Sequence, residues 1–103
     1  MIIYIAGPIT GIYDYRDKFA AAEQALIKKG HIPINPAYLP NGLGKTETYM
    51  HICHPMINVS DAIYLLDGWE NSVGAKLEKE HAEKTGKEIF YQTPIQTKDG
   101  SRT

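Results

Sequence analysis

Ile2-Ile3-Tyr4-Ile5-Ala6, followed at once by Gly7-Pro8, is the stretch whose reading decides the fold. It is short, almost wholly apolar and rich in β-branched side chains, and Gly-Pro punctuates its end. A strand without polar alternation is covered on both faces, as the central strands of a parallel sheet are. Working outward, the segment from Asp14 sets Tyr15, Phe19, Ala22 and Leu26 at helical spacing and stops at Lys28-Lys29-Gly30. His31 to Asn35 is a second short strand. Pro36 to Lys45, with two prolines and two glycines, is a long surface loop.

Thr46 to Ser60 follows as a second helix with Tyr49, Ile52, Cys53, Met56 and Val59 inward, and Pro55 is expected to kink or shorten it. Asp61 to Leu66 is the third strand, again apolar. Asp67 to Ser72 is a turn-rich loop into a third helix from about Val73, which Thr85-Gly86 ends. Glu88 to Gln92 is the fourth strand. Strand and helix alternate throughout, which calls for right-handed crossovers and a parallel sheet with helices on both faces. The expected fold is α/β, a three-layer sandwich on a parallel sheet of four to five strands, flavodoxin-like or Rossmann-like. One domain spans 1–92, and 93–103 is a polar tail expected to fray.

Composition narrows the function. Eleven basic residues against twelve acidic ones leave a net charge of −1 and no basic field for a nucleic-acid polymer. The single cysteine, Cys53, excludes an internal disulfide and offers no metal cluster. His51 and His54 beside it are poor support for a metal site. The chain opens directly on the first strand and contains no stretch of membrane-spanning length, so a cytoplasmic protein away from membranes is expected.

In such sheets ligands lie beyond the carboxyl ends of the strands, so chemistry is expected in the loops after Ala6, Asn35, Leu66 and Tyr91. Gly7-Pro8-Ile9-Thr10-Gly11 precedes a helix and lets backbone N–H groups approach a phosphate or carboxylate; a plain structural turn is the alternative. It is neither a Walker motif nor a dinucleotide fingerprint. Asn71-Ser72-Val73-Gly74 opens the third helix, where Ser72 serves as N-cap or presents its hydroxyl and the helix start to an anion.

The third helix carries the pairs Lys76–Glu80, Lys79–Glu83, Glu80–Lys84 and Glu83–Lys87 on a solvated face. Glu78 stands apart. Its neighbours one turn away are Gly74, Ala75, His81 and Ala82, so it has no basic partner and faces small residues. The helix dipole there favours the ionised form, as a carboxylate nucleophile requires, although an ordinary surface glutamate is the competing reading. Tyr4 is read as core with its hydroxyl seeking a partner at the sheet's edge. Asp61 caps or turns, and Trp69 and Tyr13 are loop aromatics that cover a flat base or merely pack.

Taken together, these residues resemble the nucleoside 2-deoxyribosyltransferase superfamily, and within it small phage and bacterial members of unassigned activity. Tyr4 to Gly11 is similar to the family's opening strand and its phosphate or sugar loop, and Asp61 to Leu66 to its third strand. Ser72-Val73-Gly74-Ala75-Lys76-Leu77-Glu78, then Gly86-Lys87, resembles the nucleophile segment, where a glutamate six residues after a serine forms a covalent deoxyribosyl intermediate. The resemblance implies cleavage or transfer of the N-glycosidic bond of a 2′-deoxynucleoside or its 5′-monophosphate. Glu78 would be the nucleophile and Tyr4 its orienting hydroxyl. The loop Gly7 to Gly11 with Ser72 and Gly74 would hold phosphate, with Asp61 and Trp69 further substrate contacts. It also implies no cofactor and a homodimer or larger homo-oligomer. The sequence departs from the family at Cys53, eight residues before Asp61, where an aspartate usually assists the leaving base. His54, Asp67 or Glu70 would have to substitute, Glu70 first. Loss of that acid leaves two alternatives: a catalytically silent nucleotide-binding or sensing module, or a phage-type interaction protein.

Overall fold

A computed structural model describes residues 1–93, and the expected polar tail lies outside them except for Thr93. The first strand, β1 (Ile2–Ala6), pairs in parallel with β2 (Ile32–Ile34) on one side and β3 (Ala62–Leu65) on the other. The last strand, β4 (Glu88–Tyr91), pairs in parallel with β3. The order β2-β1-β3-β4 makes β1 and β3 interior, which is why their sequences are continuously apolar.

Because side chains alternate across a strand, β1 feeds two separate cores. Ile3 and Ile5 pack with Phe19, Ala22 and Leu26 of helix α1 (Tyr15–Lys28), on the register that the heptad-like spacing implies. Tyr4 and Ala6 point to the other face, among Cys53 and Ile57 of α2 (Thr46–Asn58) and Ala82 of α3 (Val73–Lys84). The sheet is thus covered by α1 on one face and by α2 and α3 on the other. One consequence governs the site: an even-numbered residue of β1 must face α3.

Three expectations need correction. The helix α2 runs through Pro55 to Asn58 and buries Cys53 and Ile57, with Met50 and Met56 partly covered, whereas Ile52 and Val59 are 37% and 65% exposed. Apolar residues occur nearly all round this helix, so periodicity alone left its register open. The long loop contains a 3-10 turn, Pro36–Tyr38, capped by Asn35, whose side-chain oxygen accepts from the Ala37 N–H at 2.9 Å. On α3, Lys79–Glu83 at 2.8 Å and Lys84–Glu80 at 3.7 Å form as expected. Lys87 instead donates to the Asn58 carbonyl at 2.9 Å, tying α2 to the loop after α3. No helix among the described residues is long and apolar enough to cross a membrane.

Candidate active site

A cavity of about 570 Å³ opens beyond the carboxyl ends of β1 and β2, walled by the loop after β1, the start of α1, the 36–44 segment, α2 and the first turns of α3. Gly7, Ile9, Thr10 and Gly11 supply the loop wall. Gly7 lies where a Cβ would come within 2.9 Å of Leu66 Cβ, and Gly11 adopts φ +78°, so both glycines are required by the turn rather than incidental. Pro8 lines a neighbouring hollow of about 760 Å³ between the loops after β1 and β3, the point where the chain direction across the sheet reverses. Thr10, Ser72 and Gly74 stand between the two.

At the floor, the Tyr4 hydroxyl donates to Glu78 Oε2 at 2.5 Å, and both side chains are buried, Glu78 at 6% exposure. The geometry follows from the fold: β1 directs Tyr4 toward α3, and Glu78 is one of three residues of α3 that turn inward, with Ala75 and Ala82. The small neighbours noted in the sequence are what let a carboxylate sit against the sheet. The Cys53 thiol, also buried, lies beside both groups and lines the cavity.

The electrostatics differ from the sequence expectation. Burial pushes the Glu78 carboxyl up from 4.5 to about 7, while hydrogen bonds from Tyr4 and Cys53 pull the other way. Burial, with the Glu78 charge adding to it, raises the Tyr4 hydroxyl well above the ordinary phenol range and keeps it a donor. Burial and the same carboxyl push the Cys53 thiol up to about 12. The floor is therefore a carboxyl poised near neutrality beneath two groups that hold their protons.

Ser72 caps α3: its Oγ accepts from the Ala75 N–H at 3.1 Å, and the same residue walls the cavity, so capping and lining coexist. Three expected site residues lie elsewhere. Asp61 sits at the amino end of β3, where Oδ2 accepts from the Ile2 N–H at 2.7 Å, the end of the sheet opposite the cavity. Trp69 packs on Tyr91, with centroids 5.7 Å apart, under Lys79 at 5.5 Å, and its ring is used up in covering β4. Glu70 is exposed in a 3-10 turn and lines neither hollow.

The other substitutes for an acid are no better placed. His54 turns away to stack on His81, centroids 4.0 Å and planes 7° apart, and Asp67 lines the neighbouring hollow only. No group of three or more metal-ligating side chains occurs among the described residues. The sequence reading missed the aromatic wall. Tyr15, Phe19 and Tyr49 line the cavity beside the expected Tyr13, with the Tyr15 hydroxyl donating to Asn41 Oδ1 at 3.0 Å and that of Tyr49 to the Pro40 carbonyl at 2.8 Å. Their signal was position: each falls in the first turn or two of a helix that starts at the carboxyl ends of the strands.

The parallel α/β sheet with its strand-end cavity is a nucleoside 2-deoxyribosyltransferase-like fold, as its likeness to two solved 2-deoxyribosyltransferases shows. The chain itself belongs to the family described as a domain of unknown function, DUF4406, which matches residues 1–91. Among solved structures, it is similar to a 2-deoxyribosyltransferase from the psychrotolerant bacterium Bacillus psychrosaccharolyticus, at 20% identity and TM-score 0.68, over 92% of this chain and 77% of that one. A 2-deoxyribosyltransferase from Leishmania mexicana is similar at 26% identity and TM-score 0.66, over 87% of this chain and 62% of that one. No curated protein matches the chain in sequence.

Proposed function

We propose that this protein breaks the N-glycosidic bond of a nucleoside or nucleoside 5′-monophosphate through a glycosyl ester on Glu78. The observation that carries the reading is the 2.5 Å hydrogen bond from Tyr4 to Glu78 at the floor of a nucleotide-sized cavity, on a 2-deoxyribosyltransferase-like fold. A Glu78 oxygen attacks C1′, the C1′–N pair leaves with the base, and the ester is opened by water or by an incoming base. Tyr4 fixes one oxygen of the carboxylate so that the other faces the cavity. The glycine loop, Thr10 and the Ser72 helix start suit a 5′-phosphate, since a loop backbone and a helix N-terminus line the hollows there.

Incubation with a panel of deoxynucleosides and their 5′-monophosphates, with and without acceptor base, tests it. Release or exchange of base by wild type, lost in Glu78→Gln, is the expected result, with tighter binding of the phosphorylated members by calorimetry. Equal turnover by Glu78→Gln would overturn the nucleophile, and equal affinities the phosphate site. Cys53 in the cavity favours a second reading, a nucleotide-binding module without turnover; binding with no product across the panel would establish that reading in place of the first.

A further inference from the structure

A nucleophile alone does not break a bond to a neutral base, because the departing nitrogen develops negative charge that an acid must quench. General acids contribute typically about 10²–10⁴-fold to such steps. The cavity lining therefore bears on which bases can leave. Among the described residues, its ionisable side chains are Glu78, Cys53 and the tyrosines Tyr13, Tyr15 and Tyr49; no Asp, His, Lys or Arg lines it. Glu78 is the attacking group and has to be ionised. Cys53 holds its proton too tightly to deliver it. Phenols are poor acids at neutral pH, and Tyr15 and Tyr49 already donate to Asn41 and Pro40.

The same lining suits a positive charge. It carries a carboxylate and the rings of Tyr13, Phe19 and Tyr49, and among the described residues no Lys or Arg lines it. Resting on the glycosidic reading above, we infer that the substrate's base is a cationic ring, joined to the sugar through the quaternary nitrogen of a pyridinium or through N9 of an N7-alkylated purine, whose imidazolium shares the charge with N9. The balance closes without an acid. Glu78 Oε bonds to C1′, the C1′–N pair passes to the ring nitrogen and cancels the ring's positive charge, and the base departs neutral. Water then opens the ester, Glu78 leaves as carboxylate, and the proton goes to solvent.

The experiment compares 7-methyl-2′-deoxyguanosine 5′-monophosphate with 2′-deoxyguanosine 5′-monophosphate, which differ in the methyl group and its charge. Base release is measured at one pH and corrected for spontaneous loss with Glu78→Gln. Wild type should cleave the methylated nucleotide at least about a hundredfold faster, the size of a missing general acid. Cys53→Asp, checked for folding by circular dichroism, should narrow the ratio between the two nucleotides, raising the rate on the unmethylated one relative to the methylated one. Wild-type rates within tenfold of each other would overturn the inference and leave the glycosidic reading standing. If neither nucleotide is cleaved above the Glu78→Gln background, both are overturned.

Discussion

Glu78→Gln should make the protein more stable, and by an amount that depends on pH. The wild-type carboxyl lies at about 7 in the fold against an ordinary 4.5, so the native state binds its proton more tightly than the unfolded chain does. For a carboxyl raised in this way, the associated stability is complete below about 4.5 and is lost as pH rises through about 7. A displacement of that size corresponds to about 3 kcal/mol of stability given up on going from acid to alkaline solution. Glutamine is uncharged throughout, is nearly the same shape, and its amide oxygen still accepts from Tyr4. The variant therefore escapes the loss, and its advantage over wild type should grow by about 2–3 kcal/mol between about pH 5 and about pH 8.5. Near the melting temperature that is worth roughly 10–20 °C for a domain of this size. Urea unfolding at both pH values, followed through the single tryptophan, Trp69, packed on Tyr91, would measure it. A gap that stays constant with pH, or a variant less stable than wild type in alkali, would refute the assignment of Glu78 as a buried carboxylate held against its desolvation. The expected trade of stability for a reactive carboxylate is one often seen at functional sites.

Two further outcomes follow from the same geometry. Tyr4→Phe removes a hydrogen bond that lowers the Glu78 carboxyl, so the rising limb of kcat/KM with pH should move from about 7 to higher pH; an unmoved limb would separate Glu78 from the rate. Asp61→Ala should cost about 1–2 kcal/mol by freeing the Ile2 N–H, yet leave nucleotide affinity unchanged by calorimetry, because Asp61 is at the far end of the sheet; a weakened affinity in folded protein would return it to the site.

How much could be read before folding differs from element to element. The strand β1 and helix α1 were legible because their patterns admit one reading: an unbroken apolar run, and a stripe at 15, 19, 22 and 26. The register of α2 was not, since apolar side chains surround it and only packing against the sheet and α3 selects Cys53 and Ile57. Trp69, expected as a cover for the base, and Glu70, expected as the substitute acid, both stand in the 3-10 turn Trp69–Asn71, and neither lines the cavity.

The sequence by itself determined the alternation of strand and helix, the loop ends where a ligand would lie, and the isolation of Glu78 from any basic neighbour on its helix. Those properties are local, set by residue type and spacing along a few turns. Only the tertiary structure decided that Tyr4, 74 residues away, meets Glu78, that Cys53 closes the same floor, and that Asp61 lies at the opposite end of the sheet. It also raised the Glu78 carboxyl from 4.5 to about 7, because desolvation depends on everything packed around the carboxyl, which spacing along one helix does not show.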